Sequence, residues 1–463
     1  MNYFDYITNF LTILAVGFYT ITTLQWYNYK IDRVIFKFSK YQWHILYFIL
    51  PIATYYLGGK FYWIYLFFGV IPALFIWQKK LDKPLVWTDR VKRFFGLLVF
   101  LTLLSYLFDY YFKTPHGVFL PIILTIIGSE VIEKIIFNGY KKQALEKLKN
   151  INPKIIAITA SYGKTSIKNY LYQLLENKFN VYKTPRSVNT LKGIVADINN
   201  NLSQNCEIYI VEAGARQKGD IKEIAEFLNH QFAVIGKIGP QHIEYFKTIE
   251  NIIETKKEIL NSKNLQKAII YDEIKENISN IKTSFEGIEW DLKYNNKIIH
   301  LVAPILGGFN AINISLAFYV AKEFGIDDEY LIRKISKLNP IPHRLQKIEV
   351  GGKIIIDDSF NGNIEGMLES IDLVAKYKGK KIIITPGLVE ANEEMNKKLA
   401  TKIDKTFDLV IVTGSLNRHI LCDNITKPNK IYVADKTKLE KILAENTQVG
   451  DLILFSNDAP SFI

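Results

Sequence analysis

A short segment near the middle of the chain carries the strongest chemical signal. Residues 154–158 form an apolar run typical of a buried parallel strand, and Gly163, Lys164 and Thr165 follow after a turn. A helical pattern then extends to about Asn177. In such a phosphate loop the glycine lets backbone N–H groups approach a phosphate, and the helix amino terminus favours the anion. We predict a nucleotide site in which Lys164 reaches the terminal phosphates and Thr165 ligates Mg²⁺.

The first glycine of a standard phosphate loop is absent, so a chance Gly-Lys-Thr in a turn is the alternative. A second apolar run, residues 208–211, ends in Glu212. Carboxyl ends of neighbouring parallel strands meet at one edge of a sheet. A carboxylate there, next to the phosphate loop, is well placed to ligate the metal of a bound nucleotide.

The segments from about residue 150 to the end resemble, in the proper order, the motifs of the Mur ligase family. The matching segments are 158–165 (Ile-Thr-Ala-Ser-Tyr-Gly-Lys-Thr), 187–194, 208–221, 232–246, 255–259, 307–313, 342–345 and 356–363 (Ile-Asp-Asp-Ser-Phe-Asn-Gly-Asn). The last of these is similar to the family's D-D-S-Y-N-A-N pattern.

The resemblance implies a set of site residues, with ATP and Mg²⁺ as cofactors. The implied ATP-binding residues are Ser161, Gly163, Lys164, Thr165, Ser166, Asn310, Asn313, Arg344 and Asp358. Those implied for Mg²⁺ are Thr165, Glu212, His242 and, if its amine is carbamylated, Lys256. Those implied for the substrates are Asn189, Asn361 and Asn363. Lys164, Lys256 and His242 would be catalytic. Two alternatives to this role of Lys256 stay open. Either Lys256 is a solvated lysine on a helix surface, or a different helix register puts Lys257 in its place.

The resemblance also implies a reaction. Mur ligases join an amino acid or dipeptide to a UDP-linked precursor of peptidoglycan through an acyl phosphate. The segment 215–221 is similar to the dipeptide-adding branch, which implies UDP-N-acetylmuramoyl-tripeptide and D-alanyl-D-alanine as substrates. An amide ligase with a different acceptor or amine, a transport ATPase and a non-enzymatic membrane scaffold are the alternatives. The sequence contains no nucleic-acid-binding signature.

Three positions depart from the family pattern. Ala160 stands where the family has glycine, Leu191 replaces an asparagine and Phe309 replaces a histidine. The chain also lacks the basic loop that follows the last strand in the dipeptide-adding enzymes. These departures keep the non-enzymatic scaffold as an alternative, and the missing basic loop keeps a different amine as another.

The first 137 residues have a different composition, crowded with aromatic and aliphatic side chains. Five apolar stretches occur at about 5–25, 43–58, 61–78, 94–112 and 117–137. A helix needs about 20 apolar residues to cross the hydrocarbon core. We predict five membrane spans, since a signal peptide or a buried soluble helical bundle would account for the pattern less well.

Basic residues between the stretches predict the orientation of the chain. They lie in one set of loops, Lys30, Arg33, Lys37, Lys40, Lys79, Lys80, Lys83, Arg90, Lys92, Arg93, Lys141, Lys142 and Lys147. The opposite side has only Lys60 and Lys113. The positive-inside rule places the N-terminus outside the bacterial inner membrane and the remaining domains in the cytoplasm. The lipid bilayer, and membrane enzymes of the lipid-linked wall pathway, would then be partners.

The predicted architecture is an α-helical transmembrane domain (1–137) followed by two α/β domains. The first (138–338) is a phosphate-loop ATP-binding domain with a mostly parallel sheet, and the second (339–463) is a smaller Rossmann-like domain. Two cysteines far apart, Cys206 and Cys422, provide no disulfide framework and indicate a reducing compartment. The net charge of +12 fits a membrane surface or an anionic substrate.

Overall fold

The computed structural model describes residues 3–36, 40–81, 83–113, 117–185, 188–241, 243–360, 362–389 and 391–456. Two compact units divide the chain, Met1–Lys141 and Lys142–Ile463. Each is described by itself.

The first unit is helical throughout its described residues. Its α-helices are Tyr3–Trp26, Ile31–Phe36, Tyr41–His44, Leu50–Leu57, Tyr62–Tyr65, Ile71–Lys79, Asp89–Phe112 and Phe119–Ile151, the last of which ends beyond this unit. Ile45–Ile49 and Leu66–Val70 are π-helical turns, and Gly59–Phe61 is a 3₁₀ turn. One apolar cluster packs around Ile13, Phe94 and Leu98, and another around Leu66 and Trp77.

Three helices of the described first unit are long and apolar enough to cross a membrane, judged by length and composition. They are Phe4–Trp26, Tyr62–Lys79 and Asp89–Phe112. The predicted stretches 43–58 and 117–137 are helical but are not among these three. The first is short, and the second lies in a helix that carries Glu130 and Glu133. The five-span topology therefore stays a prediction.

A five-stranded parallel sheet forms the centre of the second unit. Its strands are β1 (Lys154–Thr159), β2 (Val181–Lys183), β3 (Ile208–Glu212), β4 (Phe232–Ile235) and β5 (Lys267–Ile270), in the order β2-β3-β1-β4-β5. β3 and β4 are buried along their whole length, as expected of a parallel sheet covered on both faces. This confirms the predicted mostly parallel sheet and sets Thr159 and Glu212 at the same edge.

A small antiparallel sheet follows, which the sequence analysis did not predict. It consists of β6 (Ile278–Thr283), β7 (Ile288–Tyr294) and β8 (Lys297–Ala303). One of its faces packs on the core through Trp290, whose indole N–H donates to Ser315 Oγ at 3.0 Å.

The rest of the second unit is built on a six-stranded sheet. Its strands are β9 (Gln346–Val350), β10 (Lys353–Asp358), β11 (Lys381–Thr385), β12 (Leu409–Thr413), β13 (Asn429–Val433) and β14 (Leu452–Ser456), in the order β13-β12-β11-β14-β10-β9. Only β9 pairs antiparallel. The mostly parallel strands with helices between them confirm the predicted α/β architecture of this part of the chain.

Helices connect these strands. They are Lys164–Leu175, Leu191–Asn201, Asp220–Leu228, Ile243–Phe246, Ile249–Lys257, Tyr271–Lys275, Phe309–Glu323, Asp328–Ile335, Ile364–Ala375, Glu393–Thr406, Arg418–Asn424 and Leu439–Asn446, with 3₁₀ turns at Glu258–Asn261 and Lys436–Lys438.

Candidate active site

The phosphate loop joins β1 to the helix Lys164–Leu175. Gly163 precedes the helix with a φ of +85°, in the left-handed region where glycine is favoured. A Cβ at this position would also lie 2.7 Å from Asn313 Oδ1. Ala160 is fully buried, and its φ is not positive. The alanine that replaces the family's glycine therefore causes no backbone strain, and Gly236 leaves room for its methyl group.

The neighbouring segment after β4 fixes the shape of this loop. The backbone N–H groups of Ser161 and Tyr162 donate to Lys237 O at 2.9 and 3.1 Å, and Ser161 Oγ donates to Gly239 O at 2.9 Å. The Ser161 side chain, predicted to bind ATP, thus serves the loop itself in this structure. His242 lies three residues beyond Gly239 but outside the described residues, so its predicted metal role stays a prediction.

Lys164 folds back over the loop. Its Nζ donates to Ala160 O at 2.6 Å and to Ser161 O at 3.2 Å. These are the two contacts that the amine would exchange for a bound phosphate. Burial lowers the pKa of the Lys164 ammonium to about 8, opposed by the Glu212 carboxylate and aided by the Arg344 guanidinium. The amine therefore keeps its proton at neutral pH, and its two hydrogen bonds go to neutral carbonyl groups.

Glu212 ends β3 next to the helix that begins with Lys164. Its Oε2 lies 3.4 Å from Thr165 Oγ1, so the two oxygens predicted to hold Mg²⁺ are adjacent. Hydroxyl and carboxylate oxygens are the ligands that Mg²⁺ takes, with phosphate oxygens and water completing its shell. In the described part of the chain no three His, Cys, Asp or Glu side chains converge as a metal site. The residues fit a Mg²⁺ that binds together with a nucleotide.

Lys168 is a residue of this site that the sequence analysis missed. Its Nζ lies 2.7 Å from Glu212 Oε1 and donates to Thr184 O at 2.7 Å. Both charged side chains are buried, 2% and 4% exposed. The spacing of four residues from Lys164 was the available signal, because it puts both lysines on one helix face.

Lys256 lies in the last turn of the helix Ile249–Lys257 and is 4% exposed. Burial holds the pKa of its amine well below the usual range, and the charge of Lys164 lowers it further. Asp220 and Glu258 oppose this shift. Lys257 is exposed, so the open question of register is resolved in favour of Lys256 as the buried lysine.

Asn310 and Asn313, three residues apart, share a face of the helix Phe309–Glu323. Asn313 Nδ2 donates to Asn310 Oδ1 at 3.1 Å, and Asn310 Nδ2 donates to Leu306 O at 2.8 Å. Both are buried, and Asn313 lies against Gly163 of the phosphate loop. Their ATP-binding role stays a prediction, and the pair joins this helix to the loop.

Two of the predicted substrate contacts can be located. The Asn189 side chain lies over Gly214, where a Cβ would be 2.9 Å from its Cγ, just beyond Glu212. Asn363 Oδ1 accepts from Gly366 N at 3.0 Å and caps the helix Ile364–Ala375. Asn361, the third predicted contact, lies outside the described residues.

The end of β10 brings the last predicted residues to the domain junction. Burial raises the pKa of the Asp358 carboxyl to about 6, although Arg344 and a backbone hydrogen bond from Leu345 favour its charged form. The Arg344 guanidinium lies 4.7 Å from the centre of the Phe360 ring. The charge of Arg344 thus acts on the Asp358 carboxyl, and the predicted contacts of both residues with ATP stay predictions.

Two polar contacts join the parallel-sheet part of the unit to the part that follows. Lys237 Nζ and Glu365 form an ion pair. Glu369 Oε1 accepts from Phe309 N at 3.1 Å, at the amino end of the helix that carries Asn310. Each contact begins next to a predicted nucleotide-binding segment, so the two parts meet around the site.

Comparisons with known proteins agree with this geometry. The family model described as the Mur ligase middle domain matches residues 158–280. The UDP-N-acetylmuramoyl-tripeptide–D-alanyl-D-alanine ligase of Bacillus subtilis (strain 168) is 27% identical over 340 residues, which are 66% of this chain and 74% of that protein. The enzyme of the same name from Rickettsia prowazekii (strain Madrid E) is 26% identical over 355 residues, 69% of this chain and 77% of that one.

Solved structures show the same similarity. The MurF ligase from Thermotoga maritima, in complex with ADP, is 26% identical with a TM-score of 0.61, and the match covers 70% of this chain and 81% of that one. MurF from Acinetobacter baumannii, at 18% identity and a TM-score of 0.60, shares the fold over 70% of this chain and 78% of its own.

Proposed function

Because residues 158–280 form a Mur ligase middle domain, we propose that this chain is an ATP-dependent amide ligase of peptidoglycan synthesis. It would add D-alanyl-D-alanine to UDP-N-acetylmuramoyl-tripeptide. Residues 138–338 would be its ATP-binding domain and residues 339–463 its C-terminal domain.

One observation carries the proposal. The Lys164 amine and the Thr165–Glu212 oxygen pair lie together at the carboxyl edge of a parallel sheet, where phosphates of a nucleotide bind in such folds. The likeness to enzymes of this one name extends over about two thirds of the chain, well past the phosphate loop. It therefore supports the substrates as well as the use of ATP.

The first step transfers the terminal phosphoryl group of ATP to the terminal carboxylate of the acceptor peptide, giving an acyl phosphate and ADP. Lys164 would release its two loop carbonyls and bind the transferred phosphoryl oxygens, which stabilises the charge that spreads over them. Thr165 and Glu212 would hold Mg²⁺, which supplies further charge neutralisation. Asn189, beside Glu212, would orient the acceptor.

In the second step the amine of the dipeptide attacks the acyl carbonyl, an amide bond forms and phosphate leaves. Water would hydrolyse the acyl phosphate if it entered the site, so the contacts between the two parts matter. The Lys237–Glu365 ion pair and the Glu369 contact to Phe309 N hold them together. Their closure would exclude water while the amine attacks.

The proposal is tested with the full chain in detergent. ATP-dependent phosphate release is measured with UDP-N-acetylmuramoyl-tripeptide and D-alanyl-D-alanine, singly and together, and the product is weighed by mass spectrometry. We expect release only with both substrates and a pentapeptide product. ATP binding without release under any of these conditions would refute the substrates but leave the nucleotide site.

We also propose that residues 1–137 anchor the enzyme in the bacterial inner membrane. The three apolar helices are one reason for this proposal. A second reason is that large apolar side chains are widely exposed on this unit, among them Leu57 (85% exposed), Phe68 (76%) and Phe36 (75%). Soluble proteins rarely expose apolar surface so extensively. The N-terminus would lie outside and the catalytic domains in the cytoplasm, close to the membrane enzymes that receive the product.

Membrane anchoring predicts the behaviour of the full chain in cell fractions. The protein is expected to stay in the membrane pellet after alkaline carbonate and high salt, because an apolar surface buried in lipid does not depend on charge. Detergent should release it. Immunoblotting of the fractions provides the measurement, and appearance of most of the chain in the carbonate supernatant would overturn the anchor.

A further inference from the structure

Lys168 forms an ion pair with Glu212, the carboxylate that would bind Mg²⁺ in the proposed mechanism. A lysine is seldom fully buried, and here its amine has two specific partners, Glu212 Oε1 and Thr184 O, both at 2.7 Å. Thr184 in turn accepts from Glu212 N through its hydroxyl at 3.3 Å. Lys168 is thus fixed to the ends of two strands, and it holds the Glu212 carboxylate in one orientation.

The two oxygens of Glu212 have different surroundings. Oε1 faces the Lys168 ammonium, whereas Oε2 faces the Thr165 hydroxyl at 3.4 Å. Only Oε2 is therefore directed to the side on which phosphates would bind. The ammonium takes the place beside Oε1 that a second bond to a metal would need.

The charges around Glu212 are also unbalanced. Lys168 pairs with this carboxylate directly and the charge of Lys164 acts on it as well, so one carboxylate faces two positive side chains. A divalent cation that approached without a nucleotide would meet net positive charge at short range, where Coulomb repulsion is strong. A nucleotide diphosphate or triphosphate would reverse the sign of that charge.

We infer that Lys168 is a positioning residue that makes metal binding at Glu212 depend on a bound nucleotide. The buried ammonium neutralises Glu212 and orients its Oε2 while the site is empty. Mg²⁺ then enters as the partner of the nucleotide phosphates and never alone. The inference rests on the proposed nucleotide site, but not on the identity of the acceptor or the amine.

The test measures Mn²⁺ binding to the full chain in detergent by electron paramagnetic resonance, with and without ADP. In the wild type we expect ADP to raise the affinity of the Glu212-dependent site for Mn²⁺ by about tenfold or more. Lys168→Met keeps the apolar stem and removes the charge. It should bind Mn²⁺ without ADP about tenfold or more tightly than the wild type.

Two further variants separate this role from a merely structural one. The double variant Lys168→Met/Glu212→Gln should lose the gain, and Lys168→Arg should retain the wild-type dependence on ADP. A folded Lys168→Met with unchanged Mn²⁺ affinity would overturn the inference. So would a wild-type chain that binds Mn²⁺ through Glu212 equally well without ADP, a comparison that does not need Lys168→Met to fold. Failure of the ligase assay would leave both measurements intact.

Discussion

Replacing Lys164 by alanine is expected to lower turnover by about 10²–10³-fold, the range found when one preorganised charge-stabilising donor is removed. Its Nζ is poised over the phosphate loop, 2.6 Å from Ala160 O, and no carboxylate among the described residues forms an ion pair with it. The ammonium is thus available to the phosphoryl group. The fold should survive, because the lost hydrogen bonds go only to the loop itself.

Lys154→Ala is the matched control, because Lys154 is an exposed lysine at the opposite end of β1. Turnover and the thermal unfolding temperature are measured for both variants. We expect Lys154→Ala to match the wild type in both, and Lys164→Ala to match it only in stability. Near wild-type turnover in Lys164→Ala would refute the proposed phosphoryl transfer.

The lowered pKa of Lys164 adds a pH dependence with a definite sign. In the free enzyme the amine loses its proton as pH rises through about 8, whereas bound phosphate would keep it charged. ADP affinity should therefore fall above about pH 8. An arginine stays protonated in this range, so Lys164→Arg should not show the fall. Calorimetric titrations from pH 7 to above pH 9 make the comparison.

The phosphate loop and Glu212 could be located from the sequence because their signals are local. A buried parallel strand appears as an apolar run, and the residue that ends it lies at a known edge of the sheet. The runs before Thr159 and Glu212 were both read in this way, and β1 and β3 pair directly with Ile158 beside Glu212. Two segments separated by about fifty residues were thus placed together without a structure.

Lys168 shows where this approach fails. A lysine within an amphipathic helix is normally solvated, and its spacing of four residues from Lys164 places it on the same helix face without showing that it is buried. Its burial depends on Thr184 and Glu212, which come from two other strands. Only the tertiary structure shows that the buried face of this helix carries a charged side chain.

The antiparallel sheet was missed although its signal is present. Ile288, Trp290 and Leu292 are buried in alternation along β7, and Asn295 and Asn296 form the turn to β8 with positive φ at both residues. Edge strands β9 and β13 each begin with two polar residues and are partly exposed, so they lack the long apolar run that reveals a central strand. Their pairing is set by the neighbouring strands.

Asn363 illustrates a different error of emphasis. The family pattern gave it a substrate role, but in this structure its side chain caps the helix Ile364–Ala375. Asparagine before a helix is a common cap, so the local signal was available beside the family signal. Its substrate role stays a prediction.

Replacing Lys256 by methionine is expected to lower activity strongly and yet to stabilise the protein. The side chain is 4% exposed, and burial with the charge of Lys164 holds the pKa of its amine well below the usual range. A depressed pKa favours the neutral amine, which is the form that reacts with CO₂ to give the carbamate implied by the Mur ligase resemblance. Loss of that anion should lower turnover by about 10²-fold or more.

Stability should change in the opposite direction. Between the low pKa of folded Lys256 and its ordinary value, the unfolded chain binds more protons, so the stability of the wild type rises with pH. At neutral pH the cost of burying the amine is present, and methionine removes it with little change of shape. We expect the unfolding temperature of Lys256→Met to rise by about 2–4 °C at pH 7. The gain should shrink as pH approaches 10.

Lys257→Met is the control, since it is the next residue and is exposed. It should leave turnover and the unfolding temperature unchanged. Wild-type turnover should also fall in CO₂-free buffer and recover with bicarbonate, whereas Lys256→Met should respond to neither. A stabilised but fully active Lys256→Met would separate burial from function and remove Lys256 from the mechanism. An inactive variant that is also destabilised at pH 7 would contradict the charge argument. It would mean that packing around the lysine, and not its buried amine, determines how the substitution changes stability.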